Sequence, residues 1–207
     1  MPQAKNADEF IAQQRAAIAT NPECGNSHYN LGVALMGKQE YDEAEKAFLS
    51  AIECSPSLAE AYVQLGGICL QRGDLEGCLD WNLRSTKVRP GFSEGWGNVG
   101  FVHLQRGEAD EAIKALEKAT VFNFRFIQAF ASLATAYLMK GEVDKSIENS
   151  QKALELSPDF AVAHNNLGIA YLQKGEKAKA KHHIEKARDL GYDVAPQILA
   201  ELASVQK

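Results

Sequence analysis

Apolar and polar positions along this 207-residue chain keep a helical rhythm, and the rhythm itself repeats. The clearest stretch is residues 161–180, AVAHNNLGIAYLQKGEKAKA, where apolar residues recur at three- and four-residue spacing on either side of Gly175. Such spacing puts an apolar stripe along a helix, and a glycine at the end of the stripe is where a helix stops. The stretch therefore reads as helix, tight turn, helix. Moving upstream in steps of 34 residues, the pair Leu167-Gly168 meets Leu133-Ala134, Val99-Gly100, Leu65-Gly66 and Leu31-Gly32. In the same steps Gly175 meets Gly141, Gly107, Gly73 and Gln39, and Ala180 meets Ser146, Ala112, Cys78 and Ala44. Small residues at these positions let two helices approach closely, and enlarging one should cost roughly 1–3 kcal/mol by overpacking.

A large residue opens each first helix, at His28, Tyr62, Trp96, Phe130 and His164. A proline closes the second helix at Pro56, Pro90 and Pro158, with Phe124 and Tyr192 in the two departing copies. The combination resembles the tetratricopeptide repeat, a helix-turn-helix unit of this length. The resemblance covers five contiguous copies, residues 25–58, 59–92, 93–126, 127–160 and 161–194. It implies an all-α, right-handed superhelical solenoid. A unit this short does not bury its own apolar face, so neighbours stabilise one another along a continuous seam.

Residues 1–24 read as a half repeat: a helix from Glu9 that is ended by Pro22, with Phe10, Ala17 and Pro22 where a second helix keeps its small residues and closing proline. It either caps the first repeat or has its missing first helix upstream or in a partner. Capping is preferred, because the terminal units of solenoids are atypical. At the other end Gly191 stops the last repeat helix and Pro196 opens another within 195–207. Its stripe of Ile198, Leu202 and Val205 should cover the open end of the fifth repeat, leaving Gln197, Glu201 and Gln206 to water. Between the third and fourth repeats VFNFRFIQAF gathers Phe122, Phe124, Phe126 and Phe130. These rings are expected to fill the repeat junction, the alternative being an exposed apolar patch for a partner.

A net charge of −5 and a pI near 5.6 lack the basic footprint that nucleic acid or an anionic membrane requires. One segment runs the other way: residues 174–188 carry six Lys or Arg against two Glu. It is expected to be a solvated outer face, the alternative being a docking patch for an acidic partner. No stretch approaches the roughly 18 apolar residues of a membrane helix, and MPQAKNADEF has no apolar signal core. The expectation is a cytoplasmic protein with no membrane insertion, unless a longer natural chain carries a targeting segment upstream.

Four cysteines, Cys24, Cys54, Cys69 and Cys78, form no Cys-x-x-Cys pair. Cys69 and Cys78 fall on core positions of facing helices and are expected to be reduced thiols, a disulfide being the alternative. His182 and His183 are adjacent on a helix and point in different directions, which disfavours a two-ligand metal site. His28 and His164 replace aromatics and are expected to be packed or half-buried. No phosphate-cradling glycine loop or nucleophile elbow occurs, and neither catalysis nor a bound cofactor or metal is expected.

Helix geometry points to the face left for binding. If positions 4, 7, 8 and 11 of each first helix face the core, 3.6 residues per turn sends positions 2, 6, 9 and 13 the other way. The resemblance implies that these positions line a concave groove. They are Asn26, Asn30, Val33 and Gly37 in the first repeat; Glu60, Gln64, Gly67 and Gln71 in the second; and Glu94, Asn98, Phe101 and Gln105 in the third. The fourth supplies Gln128, Ser132, Thr135 and Met139, and the fifth Val162, Asn166, Ile169 and Gln173. Only Glu60 and Glu94 are charged, so the Lys, Arg and Asn clamp by which some tetratricopeptide domains hold an acidic C-terminal tail is missing. Amides recur at position 6 (Asn30, Gln64, Asn98, Asn166) and position 13 (Gln71, Gln105, Gln173). This is similar to the asparagine ladder with which a related repeat domain grips peptide backbone, an amide being both donor and acceptor. Four or five such bonds at about 0.5–1.5 kcal/mol each fall short of the roughly 8 kcal/mol of micromolar binding. Apolar anchors must supply the rest: Val33, Phe101, Met139, Val162 and Ile169, with Phe101 central.

The expected function is a non-enzymatic scaffold or adaptor that holds an extended or helical segment of a partner protein. Two alternatives stand beside it. One is a self-assembling, homo-oligomeric scaffold joined through the half repeat or the capped end; the other is an accessory protein that binds a metal or cofactor through Cys and His. The pattern names an activity class and no partner.

Overall fold

The protein is described by a computed structural model over residues 6–204, so the expected roles of Val205 and Gln206 lie outside the described residues. Among those residues there are twelve helices and no strand: α1 (Ala7–Thr20), α2 (Gly25–Gly37), α3 (Tyr41–Cys54), α4 (Ala59–Gln71), α5 (Leu75–Val88), α6 (Ser93–Gln105), α7 (Ala109–Phe122), α8 (Ile127–Met139), α9 (Val143–Leu156), α10 (Ala161–Gln173), α11 (Lys177–Asp189) and α12 (Pro196–Ser204). The even-numbered helices from α2 to α10 begin 34 residues apart. This is an all-α solenoid of helix-turn-helix units.

Each hairpin turns on one left-handed residue. Gly73, Gly107, Gly141 and Gly175 have φ of 72 to 76°, where a side chain would clash with its own backbone. Gln39 adopts the same conformation at φ 62° without being glycine. The turn needs this geometry because the residue after it must donate back into the helix just ended, as Glu40 N–H does to Leu35 and Asp74 N–H to Cys69.

The second sequence signal, the small residue beside Leu, works by close approach. A Cβ on Gly32 would lie 2.6 Å from the Phe48 ring, and one on Gly168 would lie 2.4 Å from Ile184 Cδ1. Where the repeat has Ala134, the residue at the register of Phe48 and Ile184 is Ser150, and both are wholly buried. A larger residue on one helix is thus matched by a smaller one on the other.

The chain divides into two compact units, residues 1–98 and 99–207. In the first, α1 packs on α2, α2 on α3, α3 on α4 and α4 on α5. Ile11 of α1 joins Leu35, Phe48, Leu65 and Ile68 in its core, while Phe10 is only half-buried. Cys69 and Cys78 are buried and form no disulfide, and Cys69 Sγ lies against Gly77 of α5, as their positions predict. In the second unit α7 packs on α8, α8 on α9, and α9 and α11 on α10. Ile198, Leu199 and Leu202 of α12 close over Ile184, Ala187 and Val194.

One expectation is corrected. Of the four rings expected to fill the junction, Phe122 and Phe124 are 49% and 77% exposed, beside Val121 at 78%, whereas Phe126 and Phe130 are half-buried and Phe130 packs against Ala131, Ala153 and Ala163. The reason lies in the turn. Residue 124 occupies the position held elsewhere by Pro22, Pro56, Pro90 and Pro158, which are exposed as well.

Candidate functional site

Each unit presents its own first-helix face. In the first unit α2 holds Asn30 exposed and Val33 42% exposed, and α4 holds Gln64 half-buried, with Leu70 and Gln71 at its exposed end. Gln71 donates from Nε2 to the Tyr41 hydroxyl at 3.1 Å. Asn98 donates from Nδ2 to Oδ1 of the wholly buried Asn82 at 3.0 Å, and Asn82 in turn donates to the Cys78 carbonyl at 2.8 Å. Of the two acids of this face, Glu94 accepts from the Ser93 hydroxyl at 2.9 Å, and Glu60 is ion-paired with Arg89, whose guanidinium holds the carboxyl below its usual range and also lies over Phe92.

In the second unit Phe101 and Met139 remain 37% and 48% exposed, large apolar side chains left in water on the first-helix face. Gln105 and Gln173 are exposed and Ile169 is half-buried. Asn166 departs from the expected ladder. It is 3% exposed and its Nδ2 donates to the Ala131 carbonyl at 2.9 Å and to Thr135 Oγ1 at 3.1 Å. Asn98 and Asn166 thus spend an N–H group inside the protein, holding one helix to another, and Gln71 spends one on Tyr41. The faces offer apolar anchors and a reduced set of amides, with no cation among the positions named.

The basic segment is largely neutralised. Lys174 pairs with Asp144, Lys179 with Glu176, Lys181 with Glu185 and Lys186 with Asp159, as a solvated face would. His182 is exposed and His183 turns inward, where its Nδ1 lies 3.0 Å from Nδ1 of His164. His164 Nε2 lies 2.9 Å from the Pro158 carbonyl, which only accepts, so this nitrogen carries the proton. In neutral His164 Nδ1 is therefore the acceptor and His183 the donor. Ring centroids 5.2 Å apart make the contact nearly head-on, with room between the nitrogens for a proton. Among the described residues no group of three or more His, Cys, Asp or Glu gathers as a metal site would, and no helix is long and apolar enough to cross a membrane.

A further feature lies apart from the first-helix positions. A cleft of about 450 Å³ opens between α1, α2 and α3, floored by Ile18, Leu31, Leu35 and Ala47. One register position bears on it: a ring stands at Trp81 and His183, alanine at residues 47 and 115, and asparagine at residue 149.

Profiles of three related families match the chain: a TPR repeat over residues 136–175, and two tetratricopeptide-repeat profiles over residues 11–59 and over residues 93–120 and 161–190. A comparison with curated proteins returns no match. Among solved structures, YrrB, a TPR protein with an unusual peptide-binding site, is 20% identical over 95% of this chain and 100% of its own, with a TM-score of 0.74. Pseudomonas aeruginosa pilF is 16% identical over 97% of this chain and 96% of its own, with a TM-score of 0.77. MamA is 25% identical over 77% of this chain and 94% of its own, with a TM-score of 0.68. With this helical period, these left-handed turn residues and these close-approach positions beside the profile matches, the chain belongs to the tetratricopeptide-repeat family.

Proposed function

We propose that this protein is a scaffold that holds an extended or helical segment of a partner protein on its first-helix faces. The observation that carries the reading is the exposure of Phe101 and Met139 on a face without cations. Apolar side chains of this size left in water are what a partner's apolar side chains would cover, and aromatic anchors supply most of the energy of such contacts. The amides of Gln105 and Gln173 add directional bonds to peptide backbone. YrrB, of like fold, is a protein with a peptide-binding site. An acidic tail is a poor occupant, since no Lys or Arg stands at the face positions.

The test is an affinity capture from native lysate beside the Phe101→Ala, Met139→Ala double variant, with bound proteins identified by mass spectrometry. A partner lost at least tenfold in the variant, whose melting temperature stays within a few degrees, supports the reading. A partner retained by both variants moves binding off this face. Asn98→Ala is unsuited to the test, because it strips the buried Asn82 of a hydrogen bond.

A second reading, assembly of the chain with itself, is favoured by the exposed trio Val121, Phe122 and Phe124. The other copies carry polar residues or alanine at the register of Val121 and, apart from Tyr192, proline at that of Phe124. Sedimentation of the chain and of Phe124→Glu over a hundredfold concentration range separates the two readings.

A further inference from the structure

The cleft between α1, α2 and α3 can be read against the second and fifth hairpins, which fill the same position with a ring, whereas the third and fourth carry the buried Ala115 and Asn149 there. One repeat downstream, Ala47 becomes Trp81 and His28 becomes Tyr62. Trp81 packs on the core that contains Leu65 and Ile68, its ring 6.1 Å from that of Tyr62, with Arg84 lying 4.6 Å from the indole. In the last hairpin the same two positions are His183 and His164, with ring centroids 5.2 Å apart. His183 also stacks at 5.7 Å on Tyr171, which holds the register of Leu35. In the first hairpin the position is alanine, and a cleft lined by His28, Leu35 and Ala47 opens where those rings lie.

We propose that this cleft is a socket for one aromatic side chain, best a tryptophan, presented by a partner protein beside a carboxylate. The ring follows from these two hairpins: each sets an aromatic ring against the residue equivalent to His28, tilted at 6.1 Å in one and nearly head-on at 5.2 Å in the other, and an aliphatic side chain would make no ring contact with His28. The volume suits a small ligand group, within the usual 300–1,000 Å³ of binding pockets. The carboxylate follows from the rim. Arg15 of α1 pairs with Glu43 of α3 at 2.8 Å, which consumes one charge of each sign. Lys46 lines the same rim and makes no ion pair among the described residues, so one positive charge remains for an incoming acid. This socket is separate from the first-helix faces, and its test is independent of theirs.

The probes are N-acetyl-tryptophan, its uncharged amide and N-acetyl-leucine, titrated into the whole chain and followed by amide chemical shifts. N-acetyl-tryptophan should bind in the roughly millimolar range expected of so small a ligand. The shifts should centre on His28, Leu31, Leu35 and Ala47, with at least tenfold weaker binding of the leucine probe. Ala47→Trp, which restores the residue of the next repeat, should abolish binding and raise the melting temperature. Lys46→Glu, a surface change that spares the fold, should weaken the acid probe severalfold and leave the amide unchanged. Equal binding of leucine and tryptophan, shifts centred elsewhere, or an indifferent Lys46→Glu variant overturns the proposal. Shifts at the socket that grow with protein concentration without any probe, and vanish in Phe124→Glu, would instead make a second copy of the chain the occupant.

Discussion

The hydroxyl of Tyr62 donates to the carbonyl of Pro56 at 3.0 Å, tying the start of one hairpin to the turn that closes the hairpin before it. The bond recurs with different chemistry: Trp96 Nε1 to Pro90 at 2.8 Å, His28 Nε2 to Pro22 at 2.8 Å and His164 Nε2 to Pro158 at 2.9 Å. In each case the large opening residue carries an N–H or O–H six residues beyond a proline. The exception is consistent, since Phe130 has no donor and stands six residues beyond Phe124. Tyr62→Phe keeps the ring and removes the bond. It should lower stability by about 1 kcal/mol, read as a lower urea midpoint at unchanged slope, while Phe130→Leu should show no such hydrogen-bond loss.

Close approach sets a second prediction. Gly168→Ala drives a methyl to 2.4 Å from Ile184 Cδ1 and should cost roughly 1–3 kcal/mol. Ile184→Ala alone should cost about 2–5 kcal/mol. The double variant recreates the small-with-small pairing of Ala134 and Ser150, so its loss should fall clearly below the sum. Chemical denaturation of the four proteins gives the coupling, and strict additivity would mean that the two side chains do not meet.

Phe124 sits in a turn built for proline. The preceding residue, Asn123, has φ −140° and ψ 92°, close to Ser55 at −140° and 78° and Arg89 at −139° and 89°, which precede Pro56 and Pro90. Such extended backbone is what a following proline requires. Phe124→Pro should therefore raise stability by about 0.4–1 kcal/mol through the unfolded chain, measured as a higher melting temperature.

Gln39 pays for a conformation that glycine adopts freely. Gln39→Gly should stabilise the first hairpin by about 1 kcal/mol, and calorimetry should show a rise in melting temperature; a fall would mean that the glutamine side chain contributes more than its backbone costs.

Acid acts on the α10–α11 contact. Burial, with His164 and His182 beside it, pushes His183 from an ordinary 6.5 down to about 4. Above pH 6.5 the imidazole is neutral folded or unfolded. As pH falls below 6.5 the unfolded chain binds the proton and the folded chain does not, so the contribution of His183 to stability is lost down to pH 4 and levels off below it. The difference in melting temperature between the protein and His183→Phe should change across that window and stay constant above it.

The repeat was legible in the chain because its requirements are local. A left-handed turn demands glycine, a close crossing demands glycine or alanine, and both recur at fixed spacing whatever surrounds them. Gln39 shows how far this reaches, since register alone places a glutamine in a glycine's conformation. Side-chain fate is different, because it depends on what the neighbouring helix brings. Nothing in the spacing tells that Asn166 turns inward to Ala131 and Thr135 while Gln173 stays in water. Nor does spacing tell that Phe124 lies exposed on its turn while Phe130 packs inward. The cleft at Ala47 belongs to both levels: the small residue is visible in the sequence, but Ala115 repeats it, and only the packing of α1, α2 and α3 turns it into a space. Period, turn and helix pairing follow from backbone geometry and are written residue by residue. Exposure, amide partners and cavities arise where distant residues compete for the same volume, and only the tertiary structure decides them.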